Sequence, residues 1–169
     1  MSGGILETIH KLQVEPMTEE SFKPFGELIE VKSTPADERL FFPTEFKIDG
    51  RMTIDAIWQP YATRTFSLLE RHFNVTQAFL PLGGPPSAVA VAPPTNPEDP
   101  DDTPDPDQVR AFLINPQKGF VYKTGTWHSL DRYLLTPPGA EFVILNVDPN
   151  PTQVVDYAER FNTKFEIVF

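Results

Sequence analysis

His72 and His128, both in strand-like and polar surroundings, offer this sequence its chemistry. His72 stands in LLERHFNVTQAFLPLGG, residues 68–84, and His128 in KTGTWHSL, residues 123–130. Imidazole exchanges protons near neutral pH and, when neutral, lends a lone pair to divalent metals. Side chains alternate along a strand, so Glu70, two residues before His72, lies on the same face. If Leu68–His72 and Gln77–Leu82 are the arms of a hairpin turning through Phe73–Thr76, Gln77 falls opposite His72. Glu70, His72 and Gln77 then form one patch, with Phe79 beside them. His128 follows a turn containing Gly125, a residue suited to unusual backbone angles. The expectation is that the two segments face each other inside a small β-barrel and make its site.

His72 and His128 suit two metal ligands, with Gln77 or Glu70 as a third. Such nitrogen and oxygen donors accept nickel, manganese or zinc. Glu70 turned inward is a buried carboxylate that needs an ion-pair partner or a ligand; it is an acid–base candidate together with His72, His128 and Lys123. Lys123 is also a compact cation for a substrate carboxylate, a duty open to Arg51 and Arg64. Tyr122 and Trp127 read as walls of the substrate site, and Gln77 as a further contact. Arg71 alternates to the opposite face and is expected to reach a surface partner, while His10 is expected to be inert.

The elements that must position these residues are short strands. The 19 prolines interrupt helices and end strands, and the 14 phenylalanines favour sheet. Strands are expected at Ile9–Val14, Gly26–Lys32, Arg51–Gln59, Phe66–His72, Gln77–Leu82, Ser87–Ala92, Arg110–Ile114, Phe120–Tyr122, Tyr133–Leu135, Glu141–Asp148 and Lys164–Phe169. Ser87–Ala92 (SAVAVA) is apolar throughout and therefore central. Thr18 is an N-cap for one helical turn that Pro24 limits, and Thr152–Arg160 reads as one or two further helical turns. Residues 33–50 are irregular, with Phe41, Phe42 and Phe46 expected to pack. Residues 93–108, PPTNPEDPDDTPDPDQ, lack the glycine turn and closing Glu of a calcium loop and read as extended and solvated. Many short strands with frequent turns predict an all-β sandwich or barrel, residues 1–169 forming one domain.

Composition excludes several classes. A net charge of −10 and a pI near 4.7 supply no footprint for nucleic acid or an anionic membrane. The absence of cysteine removes disulfides, thiolate catalysis and Cys-ligated metal. No apolar run reaches the roughly 20 residues of a membrane span, and MSGGILETIHKLQVEP lacks a basic segment followed by an apolar one. The expectation is a cytoplasmic protein acting on a small molecule, without an organic cofactor.

The spacing resembles the two motifs of the cupin superfamily. Positions of the first, His-x-His, Glu and Gly, read His72, Asn74, Gln77 and Gly83. The second, Pro-x-Gly-x-x-His, reads Lys123 to His128. The ordered run LLERHFNVTQAFLPLGG, VAVAPP, an acidic proline-rich loop, VRAFL and GTWH, preceded by VEPMTEESFKPFGELIE, resembles the ureidoglycolate lyase family from about Val14 to Val147. The resemblance implies a cupin-like jelly-roll barrel with a short helix or two near the termini, a homodimer and, commonly, a divalent metal. It also implies cleavage of ureidoglycolate to glyoxylate and urea. Many members carry a basic residue, often His, where Lys123 stands, and a further His at the position of Ser129. Those departures keep a second expectation open, a divergent cupin that binds another small carboxylate or sugar acid.

Overall fold

A computed structural model describes residues 7–169; the first six residues of the segment examined for a leader lie outside it. In chain order the elements are β1 (Thr8–Pro16), α1 (Glu19–Phe22), β2 (Gly26–Ile29), β3 (Arg51–Pro60), β4 (Thr65–Phe66), β5 (Leu68–His72), β6 (Ala78–Gly83) and β7 (Ser87–Ala92). They continue with β8 (Arg110–Ile114), β9 (Gly119–Tyr122), β10 (Trp127–Ser129), β11 (Tyr133–Leu134), β12 (Gly139–Asp148), β13 (Thr152–Asp156), α2 (Tyr157–Phe161) and β14 (Thr163–Val168). The chain is all-β apart from two short helices near its termini, as expected. Thr18 and Ser21 cap α1 reciprocally, each side chain accepting from the other's backbone N–H.

The strands form two curled sheets, the arrangement of a cupin-like barrel. The larger runs β13-β5-β10-β7-β8-β1-β14-β4, with β11 also on β7, and the smaller runs β2-β9-β6-β12-β3. Between them lies a core of Phe22, Phe25, Phe79, Val89, Val91, Phe112, Phe120, Tyr122 and Phe142, among others. A second core, including Leu69, Ala88, Ala90, Trp127, Tyr157 and Phe165, fills the other side of the large sheet. β7 explains why both cores are needed. Its valines enter the first and its alanines the second, so all six residues are buried.

The expected hairpin of β5 with β6 does not form. β5 pairs with β10 and β13, whereas β6 pairs with β9 and β12 in the other sheet. Residues 73–77 cross between the sheets instead of turning. They are held by the irregular 47–49 stretch, where Asp49 N–H donates to Asn74 O and Thr76 N–H to Lys47 O. Residues 152–156, expected as helix, are strand β13 along β5, and only Tyr157–Phe161 is helical. β2 ends three residues early, and Phe41 is exposed at 78 % rather than packed.

The acidic stretch 93–108 keeps its carboxylates outward, but it is not free. Its backbone carbonyls accept from Arg71 (Thr95 and Asn96), Gln153 (Pro100), Arg160 (Asp101) and Tyr157 (Pro104). Arg71 is fully buried, contrary to its expected surface role. Alternation does aim it away from Glu70, but that side of the large sheet is the second core. There it lies 4.6 Å from the Trp127 ring and binds the Gln153 amide oxygen.

Candidate active site

β5 and β10 are hydrogen-bonded neighbours, with His128 directly opposite Glu70. Opposed residues share a face, so Glu70, His72 and His128 all project between the sheets, while Leu69, Arg71 and Trp127 project into the second core. The two motifs are therefore side by side rather than facing. A turn sets the register of β10. Thr126 N–H closes it onto Lys123 O, and Gly125 takes φ +80° at the position where a type II turn needs a positive angle. Gly125 N–H then donates to His72 O over 2.9 Å, tying the two histidine segments together. Ser129, buried on the other face, accepts from Ala90 N–H and donates to Asp131 O, so this departure from the family pattern does structural work.

One ligand atom from each of Glu70, His72 and His128 lies within 4.8 Å of the others. His72 Nε2 is 3.6 Å and His128 Nδ1 3.9 Å from Glu70 Oε1, and the two rings are 5.2 Å apart. Hydrogen bonds assign the tautomers. Thr152 Oγ1 gives its proton to Asn150 O and so accepts from His72 Nδ1–H at 2.8 Å. His128 Nδ1 faces Ser129 O at 3.2 Å, which can only accept. In the neutral ring this tautomer leaves the lone pair on Nε2; both Nε2 atoms are buried, and neither has a hydrogen-bond partner. Burial and the neighbouring His72 push the His128 pKa down to about 3, keeping it neutral. Burial raises the Glu70 pKa, but the adjacent His72 ring and, through space, His128 and the Arg132 guanidinium outweigh it and hold the carboxyl below its ordinary range. A carboxylate and two imidazoles that bring one ligand atom each within 4.8 Å of the others, with His72 Nδ1 anchored on Thr152 and its Nε2 turned toward Glu70, fit a divalent cation.

The opposite wall comes from the small sheet. Tyr122 stacks on His128 with centroids 4.4 Å apart and planes 5° apart. Gln77 O accepts from Tyr122 N–H, so the two residues are paired and their side chains enter the same interior. Burial pushes the Tyr122 pKa upward, so its hydroxyl keeps its proton. Arg132, in the loop after β10, brings its guanidinium 4.7 Å from the Phe79 ring and is itself buried. Five of the seven buried side-chain atoms found without a partner among the described residues belong to this group: His72 Nε2, His128 Nε2, Gln77 Oε1, Tyr122 OH and Arg132 Nε. Such atoms are costly in a packed interior, and their convergence marks a ligand site. Its open edge is Glu70, whose side chain is 21 % exposed against 7 % and 2 % for His72 and His128.

Other expected residues stay outside. Lys123 is exposed and donates to Lys23 O, because it alternates with the inward Tyr122. Arg51 pairs with Asp148 at the surface, and Arg64 lies over Phe169 and donates to Leu135 O. Trp127 belongs to the second core. Arg132 escaped the sequence reading because SLDRY looks like a charged turn; the one available signal was its closeness to His128. Two surface depressions of about 590 Å³ each are lined by none of the triad.

Comparisons with known proteins place the chain in a family. The family model described as ureidoglycolate lyase matches residues 51–166, from the first residue of β3 almost to the end of β14. A protein of Azotobacter vinelandii named ureidoglycolate lyase is 34 % identical over 132 residues, covering 69 % of this chain and 74 % of the relative. One of Pseudomonas savastanoi pv. phaseolicola with the same name is 29 % identical over 178 residues, covering 86 % and 99 %. A third, from Chelativorans sp., is 34 % identical over 152 residues, covering 83 % and 86 %. The match holds the triad, both walls and Arg132 within its span, and the chain belongs to the ureidoglycolate lyase family.

Proposed function

We propose that the protein cleaves ureidoglycolate to glyoxylate and urea. The observation that carries this reading is the buried Glu70–His72–His128 cluster inside a chain of the ureidoglycolate lyase family. The substrate carbon bears a hydroxyl, a carboxylate and a urea nitrogen. Elimination removes the hydroxyl proton, breaks the C–N bond and protonates the nitrogen as it leaves. His72 through Nε2, His128 through a ring nitrogen and Glu70 through its carboxylate, with the unpartnered Gln77 amide oxygen as a further donor, would hold a divalent cation of the nickel, manganese or zinc type. When bound, that cation supplies a Lewis acid for the developing alkoxide. The ionised Glu70, at the open edge, accepts the hydroxyl proton directly or through one water. The protonated Tyr122 hydroxyl points a donor into the same space for the departing urea nitrogen, and Gln77 offers an amide to the urea group. Ring stacking on Tyr122 and the Ser129 carbonyl keep His128 in one orientation.

The test is glyoxylate release from racemic ureidoglycolate, before and after chelation and after restoring nickel or manganese. Wild-type release lost with chelator and restored by metal is expected. Glu70→Gln and His128→Asn should each lower kcat by about 10²-fold or more while leaving the circular dichroism unchanged. Failure of the wild type to release glyoxylate under every metal condition would sink the reading.

The same proposal includes a cytoplasmic enzyme of one domain, since a single strand, β7, serves both cores. It also includes a homodimer. Met52, Ile54 and Trp58 of the edge strand β3 and Leu82 of β6 expose apolar side chains on the outer face of the small sheet. A second copy is the occupant that fits a face this apolar on so acidic a chain.

A further inference from the structure

We propose that Arg132 receives the substrate carboxylate and makes the site selective for ureido alcohols that carry a carboxylate on the hydroxyl-bearing carbon. The inference rests on the lyase reading and names the specificity group of that site.

Arg132 is fixed at both ends. Its backbone N–H donates to the Gln59 amide oxygen at 3.2 Å, and the preceding Asp131 carbonyl accepts from Ser129. Its guanidinium lies 4.7 Å from the Phe79 ring and 6.0 Å from Phe142. Nη2 donates to Leu130 O at 2.7 Å, and Nε has no partner. Among the described residues no carboxylate bonds this cation; Glu70 and Asp131 act on it only through space. The surface pair of Arg110 with Glu15 gives the contrast. There Nε and Nη2 grip the two carboxylate oxygens at 2.9 and 2.6 Å, and the fork is filled. A buried guanidinium left without an anion is expensive. It is retained where an incoming anion completes it.

The position suits a carboxylate one bond from the reacting carbon. Arg132 interacts electrostatically with both Glu70 and Tyr122, the groups on either side of the C–N bond to be broken. Glu70 makes no hydrogen bond to Arg132 and reaches it only through space. Lys123, Arg51 and Arg64 are engaged elsewhere at the surface, which leaves Arg132 as the cation of this interior among the described residues.

The experiment compares wild type, Arg132→Gln and Arg132→Lys, loaded with the restoring metal, on ureidoglycolate and on hydroxymethylurea, the same ureido alcohol without its carboxylate. Calorimetry with oxalate, a small carboxylate that does not react, gives a readout independent of turnover. Loss of a charge-assisted fork costs about tenfold to a hundredfold. Arg132→Gln should therefore raise KM for ureidoglycolate and weaken oxalate binding by at least tenfold, and lower kcat/KM for ureidoglycolate at least tenfold more than for hydroxymethylurea, which feels Arg132 only through its charge on Glu70. Arg132→Lys should fall between and serves if the Gln variant does not fold. Wild-type oxalate affinity in a folded variant, or equal losses on both substrates, would overturn the inference. Arg132-dependent oxalate binding in a wild type that turns over neither substrate would sustain the inference and sink the lyase reading.

Discussion

At the scale of the residue, the site is governed by what burial does to His128. The folded protein protonates it only near pH 3, whereas an unfolded chain does so near the ordinary 6.5. Between those values the unfolded state binds the extra proton, so stability must fall as pH drops through that window. Above 6.5 both states are neutral and the effect vanishes. Metal-stripped protein melted from pH 7 to pH 4 is therefore expected to lose stability, and His128→Gln to flatten that slope. A His128→Gln variant with the wild-type slope would show that other groups carry the acid sensitivity. The depressed Glu70 carboxyl works in the same direction, since its ionised form is favoured in the fold and its contribution is lost as pH falls. Sequence exposed this cluster because His-x-x-x-x-Gln and Gly-x-x-His are local patterns. It did not expose Arg132, whose burial depends on Phe79 and Phe142 arriving from other strands.

At the scale of the element, alternation and turn residues made most strands legible, including β3, β7 and β14, and Thr18 and Pro24 bounded α1. Pairing was less legible. Nearness in sequence suggested β5 with β6, but the partners of β5 lie in residues 127–129 and 152–156. No local signal reports a partner that distant. Arg71 misled for a related reason: a charge alternating with Glu70 and His72 reads as solvated only if one face of the sheet is wet, and here both faces are buried. The structure instead makes Arg71 the anchor of residues 93–108. Its guanidinium bonds the Thr95 carbonyl and hydroxyl and the Asn96 carbonyl, and Trp127 Nε1–H adds a bond to Thr95 Oγ1. Arg71→Met should strip those carbonyls of their donors, cost about 3 kcal/mol, and make the loop the first point of cleavage. Limited digestion by a protease specific for Asp or Glu, read by mass spectrometry, checks this. Cleavage at Glu98 or Asp101 as slow in the variant as in wild type would mean that Gln153, Tyr157 and Arg160 hold the loop without Arg71.

At the scale of the whole molecule, acidity and apolar exposure pull in different directions. A net charge of −10 keeps copies apart at long range, yet the outer face of the small sheet exposes Ile54 at 66 %, Leu82 at 61 % and Trp58 at 57 %. β3 is also an edge, ten residues long, and an edge of that length with apolar side chains invites pairing unless something covers it. The charge on this face comes from Glu141, exposed and directly opposite Trp58, and at the end of β3 Arg51 is neutralised by Asp148. Association through the face therefore gains the apolar contact of Met52, Ile54, Trp58 and Leu82 against the single carboxylate of Glu141. Salt should strengthen it by screening the remaining repulsion between the acidic bodies. Sedimentation of the wild type is expected to give twice the 19.1 kDa chain mass, with the dimer favoured at higher ionic strength. Ile54→Asp combined with Trp58→Asp should yield a folded monomer, because both positions are already solvated and neither supports the core between the sheets. Its glyoxylate release should persist per chain, since the triad, Tyr122, Gln77 and Arg132 all come from one copy. A dimer that survives the double substitution would assign the contact to another face, and a monomer without activity would mean that the second copy supports the site.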